Sequence, residues 1–290
     1  MSTTLTRPVY WTVRRELWEN RSVYLAPAIV GALEIAGILI STLHRHPEIQ
    51  VDGDADDGKA QMIVAAIYGA LGAPILITSL IVAAFYCLDT LYSERRDRSI
   101  LFWKSLPVSD SVTVLGKALI PFAVLPAITL AVICVTQLIG LAAGAMFFNM
   151  NGVDTAFLWN NVPIATMPLV LAYSLAAMTL WYAPLYGWLF LVSAFARRKA
   201  ILWAVLPPAA VCVVEEIAFN TNYSIRLLRD RFLGFMNVAF QDQDPHHVVF
   251  SLDKLAPASL LSSPGLWAGL VVAGLFFAAA IKLRRYRDPV

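Results

Sequence analysis

Charged side chains are scarce in this chain of 290 residues, where Asp, Glu, Lys and Arg together make up 14% against roughly 25% in soluble globular domains. With 59% of residues hydrophobic, too little polar material is left to cover a water-soluble globule, which argues against a soluble enzyme. Cysteine is scarce as well. Cys87, Cys134 and Cys212 are odd in number, far apart and each set in an apolar run, which excludes a disulfide scaffold. No GxxxxGK[ST] phosphate loop occurs, so the chain has no recognisable means of holding ATP phosphates on a helix N-terminus. Internal repeats and low-complexity segments are absent too.

What is present is a series of long apolar runs. Val23 to Leu43 covers 21 residues, about 31 Å as a helix, which matches a hydrocarbon core near 30 Å. It is too long for a signal-peptide core, and no small-residue cleavage pattern follows, so it reads as a retained first span. Further spans are expected at Gln61 to Thr90, Ala118 to Phe148, Ile164 to Ala196, Ala200 to Phe219 and Gly265 to Leu283. The pattern predicts an all-α polytopic membrane protein with six transmembrane helices. Several runs exceed the bilayer thickness and must tilt or project, the second into the charged stretch after Asp89.

Lys and Arg set the orientation. The N-terminal segment, the second and fourth connections and the C-terminus hold sixteen of the 22, while the other side holds six of them and ten carboxylates. Both termini are therefore expected in the cytoplasm. Two segments are neither spans nor plain loops. Residues 1–22 place Tyr10, Val13 and Leu17 at helical spacing, with Trp11 and Trp18 seven apart and charges elsewhere, as in a helix lying among lipid headgroups. Residues 220–264 form a long connection with an apolar and basic middle, IRLLRDRFLGFMNVAF. Short extracytoplasmic helices are expected there, since structureless loops of that length are uncommon. The spans carry Pro27, Pro74, Pro121, Pro126, Pro168, Pro184, Pro207 and Pro208. Each proline removes a backbone donor and bends its helix, which is tolerated where neighbouring helices satisfy the freed carbonyls.

The most informative segment is 93–110, SERRDRSILFWKSLPVSD. A dense charge cluster is followed by Ile100, Leu101, Phe102 and Trp103, then Leu106, Pro107 and Val108. Four large apolar residues in a row do not suit a solvated loop; they pack on the chain's own helix ends or are buried by a partner. Ser109 or Asp110 then suits the cap of the next helix.

This run, ERRDRS then LFWKSLPVSD then Lys117, resembles the loop between the second and third spans of ABC-2 type transporter permeases, the membrane subunits of ATP-driven exporters. RRELWENR before span one, six spans and the long outer connection fit the same outline. The resemblance implies one permease domain over 1–290, with a cytoplasmic coupling helix in 93–110 that docks in a groove of a separate ATPase. Its coupling residues would be Glu94, Arg95, Arg96, Asp97, Arg98, Phe102, Trp103, Lys104, Ser105, Leu106 and Pro107. It also implies two ABC ATPase subunits per complex, a second permease copy or a related permease, and a plasma (inner) membrane of a bacterium. No cofactor is expected in this chain, with ATP and Mg held by the ATPase partner. Membrane lipids complete the partners and nucleic acid has no place among them; the chain itself is expected to be non-catalytic.

Intramembrane ionisable groups are expensive and count as functional candidates. Glu34 sits in span one, and Glu215 and Glu216 toward the outer end of span five; they serve the transport pathway or helix packing. The EE pair also resembles the start of the EExxxR motif of a family of intramembrane proteases, with His246 and His247 as conceivable later partners, although residue 220 is Asn. An intramembrane hydrolase using Glu215 and Glu216 is therefore one alternative, and an ATP-independent channel or carrier another. Asp52, Asp54 and Asp56 in DGDADDG are spaced like a calcium loop, but the glycine is one residue late and residue 63 is Ile, so an acidic solvated loop is the reading adopted. His44 and His46 lack companion ligands, and no metal site is expected. The orientation is directly testable. In a chain freed of its own cysteines, single cysteines at Asp56 or Gln243 should react with a membrane-impermeant maleimide in intact cells; reaction only after the cells are opened would reverse the topology.

Overall fold

A computed structural model describes residues 3–44, 57–99, 109–150, 164, 166–240, 252 and 255–286. The chain is an all-α polytopic membrane protein, and among the described residues the only β feature is an isolated antiparallel bridge between Phe240 and Leu255. The helices are α1 (Thr3–Glu19), α2 (Ser22–His44), α3 (Asp57–Arg96), α4 (Asp110–Leu119), α5 (Leu125–Met150), α6 (Met167–Trp181), α7 (Ala183–Phe195), α8 (Ala200–Phe219), α9 (Tyr223–Leu233), α10 (Phe235–Ala239), α11 (Pro257–Ser262) and α12 (Pro264–Tyr286). A five-residue π turn, Ile120–Val124, joins α4 to α5.

Among the described residues, five segments are each long and apolar enough to cross a membrane: Ser22–Thr42, Gly69–Arg96, Asp110–Phe147, Ala200–Phe219 and Pro264–Tyr286. The fourth expected span, Ile164 to Ala196, is not one straight helix. It breaks at Tyr182 into α6 and α7, bent by 51°. Pro184 causes the break, because it has no N–H to donate to the Leu180 carbonyl and its ring displaces that turn. The freed oxygen accepts the Tyr182 N–H instead. The bent pair still traverses the bundle. Met167 shares a cleft with Leu138 and Leu141 on α5, whereas Ser193 and Ala196 meet Arg95 at the end of α3. Glu16 near the start and Arg284 near the end both lie against the Lys117–Glu94 pair, so the chain leaves from and returns to one end of the bundle. That return requires an even number of crossings, and the bent pair counts as the sixth.

The prolines follow the expected logic. Pro121 frees the Lys117 carbonyl, which lies 3.3 Å from the Tyr86 hydroxyl of α3. Pro208 frees the Ala204 carbonyl, which accepts the Trp188 indole N–H of α7 at 3.0 Å. At Pro208 a neighbouring helix thus supplies the donor that proline removes, while the Lys117 carbonyl before Pro121 accepts the Ile120 N–H.

The core lies where α3, α7 and α12 meet, around Tyr86, Cys87, Phe190 and Ala280. Close approach of α7 to α12 depends on Gly187, where an added Cβ would stand 3.2 Å from the Ala273 backbone and 3.2 Å from the Phe276 Cβ. The connection 220–264 does contain short helices, α9 to α11, and they pack against the bend. Arg231 stacks on Trp181 at 4.6 Å and donates to the carbonyls of Trp181 at 3.0 Å and Gly265 at 2.9 Å. The Trp181 indole N–H donates back to the Arg231 carbonyl at 3.1 Å, and Tyr182 donates to the Phe232 carbonyl at 2.8 Å. Burial of Arg231 lowers its pKa from the usual guanidinium value. Gly187→Leu should force α7 away from α12 and destabilise the protein by about 1–3 kcal/mol, measurable as a lower thermal midpoint in detergent. An unchanged midpoint would show that this helix pair has room to adjust.

Candidate functional site: a buried ion cluster

Helix α1 divides its residues between two faces. Tyr10, Trp11 and Trp18 are exposed, and Arg14 lies between the two indoles at 5.2 and 5.0 Å from their ring centres. Aromatic and cationic groups on one face suit the headgroup region. The other face turns Glu16 inward, where it is 1% exposed. Lys117 of α4 reaches it with Nζ 2.7 Å from Glu16 Oε1. The same ammonium lies 3.1 Å from Glu94 Oε1 and donates to Thr90, at 3.1 Å to the hydroxyl and 3.3 Å to the carbonyl. Tyr86 donates its hydroxyl to Glu16 Oε2 at 2.9 Å, and Asn20 adds a longer bond at 3.4 Å.

Glu94 is the junction of the cluster. Arg15 donates to its Oε1 at 3.1 Å while holding Glu16 at 2.9 Å. Arg284 of α12 pairs with Glu94 Oε2 through Nη1 and with Asp110 Oδ1 through Nε at 3.1 Å. Three cations, Arg15, Lys117 and Arg284, therefore meet three carboxylates, Glu16, Glu94 and Asp110. The balance is required, because an isolated ion buried here would cost several kcal/mol. At the rim Arg15 also pairs with Glu19 at 3.3 Å. Burial alone would lower the Arg15 pKa, but the carboxylates of Glu16 and Glu19 outweigh it and raise the value.

The candidate coupling residues divide by place. Glu94 and Arg95 are the last buried residues of α3 and are held by the chain itself, Arg95 donating to the carbonyls of Ser193 and Ala196 at 2.7 Å each. Arg96, Asp97 and Arg98 follow on the surface, with Arg96 paired to Asp97 at 3.0 Å and Arg98 in the left-handed region at φ 58°. The charged run is thus half anchor and half surface. Phe102, Trp103, Lys104, Ser105, Leu106 and Pro107 lie outside the described residues, as do His246, His247, His46, Asp52, Asp54 and Asp56. After that segment the chain resumes at Ser109, whose hydroxyl accepts the Val112 N–H at 3.3 Å and caps α4, as the sequence suggested.

Glu215 is engaged structurally. It accepts the Tyr223 N–H at 2.6 Å, the Ser224 N–H at 2.9 Å and the Thr221 hydroxyl at 3.0 Å, so it caps the N-terminus of α9 from the end of α8. Its neighbour Glu216 accepts the Asn220 N–H on its backbone carbonyl at 3.0 Å, which closes α8. Glu34 shares neither arrangement, since both its carboxylate oxygens are buried and unpartnered among the described residues. Glu16 and Arg284 were not singled out from sequence. Glu16 was hidden because its signal, a carboxylate on the apolar face of an amphipathic helix, is a single residue in a charge-rich segment. Arg284 was hidden because it reads as one more basic residue of the C-terminus.

No family model, curated protein or solved structure matches the chain.

Lys117→Met should leave Glu16 with Arg15 as its only remaining cation and cost about 3–5 kcal/mol, whereas Glu16→Gln combined with Lys117→Met should recover most of that loss. A double-mutant cycle on thermal stability measures this, and strict additivity would show that the two groups do not act as a pair.

Proposed function

We propose that the chain is the permease subunit of an ABC-2 type exporter, forming the substrate path and coupling to separate ATPase subunits. The observation that carries this reading is the anchoring of both flanks of the 93–110 segment. Glu94 stands at its start and Asp110 at its end, and Arg284 holds both carboxylates. The segment therefore leaves from and returns to one buried ion cluster that also engages α1 and α4. A push on the segment would be delivered to four helices at once, instead of being absorbed in a slack loop. This is what a subunit needs if it takes its energy from a neighbour, and the sequence has no phosphate loop of its own.

In this reading Phe102 and Trp103 anchor the docking surface, flanked by the exposed Arg96, Asp97 and Arg98. ATP and Mg belong to two ATPase partners whose closure draws the coupling segments of two permeases together. The membrane is the inner membrane of a bacterium, with both termini in the cytoplasm. The structural use of Glu215 counts against the hydrolase alternative, because a carboxylate that already accepts three hydrogen bonds is poorly free to bind a metal or act on a peptide bond.

Phe102→Ala combined with Trp103→Ala should insert normally, weaken co-purification of the ATPase and uncouple ATP hydrolysis from transport. Truncating such interface anchors costs about 2 kcal/mol or more. Normal insertion with undiminished ATPase retention and substrate-stimulated hydrolysis would mean that the apolar run packs within the permease.

A further inference from the structure

Apart from the ion cluster and the outer caps, one carboxylate among the described residues lies shielded in the middle of a span. Glu34 is the thirteenth residue of the 23-residue α2. Both carboxylate oxygens are shielded and have no hydrogen-bond partner among the described residues. A second orphan lies on the helix packed against α2. Thr136 on α5 is 1% exposed, and its hydroxyl also lacks a partner, including the carbonyl one turn back that a helical Thr ordinarily uses. Gly31 brings the two helices together, since a Cβ there would stand 2.7 Å from Val132 and 3.2 Å from the Thr136 hydroxyl. Glu34 follows Gly31 by three residues, one turn along the same face.

No compensating charge is at hand. Segments 69–88 of α3 and 118–150 of the third span, the elements packed on α2, carry no charged residue, and their titratable groups are Tyr86, Cys87 and Cys134. Unpaired buried polar groups are rare in folded proteins and call for a specific explanation. In hydrocarbon a lone carboxylate without a cation is costlier still. Ile29, Leu33 and Ile40 turn another face of the same helix outward, toward lipid.

We propose that Glu34 and Thr136 form the recognition point for the cationic head of an amphiphilic cargo, which enters α2 from the bilayer with its tail in lipid. An ammonium supplies both things the site lacks. Its charge pairs with Glu34, and its N–H donors are shared with the free lone pairs of Thr136. A bare metal ion would need four or more ligands, whereas Glu34 and Thr136 offer three oxygens between them. The apolar surroundings, Ile75 and Val132, fit the hydrocarbon next to that head. This assignment rests on the permease reading and gives its cargo a chemical class.

The test needs no ATPase, so its failure is separable from failure of the docking assignment. The wild-type chain in nanodiscs of zwitterionic lipid is titrated with radiolabelled dodecylammonium at neutral pH, beside Glu34→Gln, Glu34→Asp and Thr136→Val. Wild type should show a saturable component of about one site per chain above partitioning into lipid. Glu34→Gln should weaken it at least about tenfold, the loss of one charge-assisted contact, while Glu34→Asp retains part of it. Unlabelled tetradecylammonium should displace the probe and dodecanol should not. Equal binding by wild type and Glu34→Gln, or displacement by dodecanol as effective as by the cation, would overturn the proposal. Should Glu34→Gln fail to insert, Thr136→Val decides: unaltered probe affinity in that variant counts against the site as drawn.

Discussion

The arrangement of this molecule hangs on the electrostatic bond between Lys117 and its two carboxylates, Glu16 and Glu94. An ammonium that is 1% exposed can persist only where negative charge is brought to it, and here the two carboxylates come from helices far apart in sequence. Satisfying Lys117 fixes α1 beneath the bundle, sets the end of α3 against α4 and leaves Glu94 with a second oxygen, which draws in Arg284 of α12. Hydrophobic burial cannot specify this arrangement by itself. Apolar helices in lipid have little hydrophobic preference for one register over another, whereas a displaced ion pair leaves a charge unpaired. The cluster is weak grounds for stability and better grounds for register.

The same accounting of polar groups runs through the spans. Proline frees backbone carbonyls, and lipid offers them nothing, so each must find a donor within the protein. Tyr86 gives its one proton to Glu16 and lies 3.3 Å from the Lys117 carbonyl, which sets the ion cluster beside the π turn at Pro121. Where the backbone breaks outright, at Tyr182, the outer helices supply the partner: Arg231 donates to the Trp181 carbonyl and stacks on its indole. The bend and the connection that packs on it are therefore one structural unit.

Much of the fold was legible because lipid imposes it: run length and apolar composition gave the spans, and Ser109 was recognisable as a cap from its place after Pro107. The bend at Tyr182 was harder to place. Pro184 announces a distortion, but its extent depends on Arg231, which is about 50 residues away and contributes no local pattern. The ion cluster was only half visible. Glu94 and Arg95 stood out within ERRDR, yet the chain buries these two and exposes the next three, a division set by helix phase against α7 and α12 and not by composition. Glu16 and Arg284 acquire meaning only through partners 101 and 190 residues distant. The isolation of Glu34 could be suspected from its position, but the matching orphan at Thr136 needed the helices to be packed.

The cluster has a further property that bears on motion. Glu94 contacts three cations, Arg15, Lys117 and Arg284, and Glu16 contacts two. A helix end held by a single pair must expose an unpaired buried charge before it can move, which costs several kcal/mol. Where every carboxylate has more than one cation, α3 and α4 can shift relative to α1 and α12 by exchanging partners, so no charge is left alone along the way. Such a site resists separation of the helices but offers little resistance to their sliding. Asp110 differs, because Arg284 is its one charged contact among the described residues. Movement of the segment that Asp110 closes therefore falls on Arg284 and α12, the helix that packs along α7 through Gly187. A displacement of Asp110 would in this way be carried past the ion cluster to the bent span and the helices that cap it.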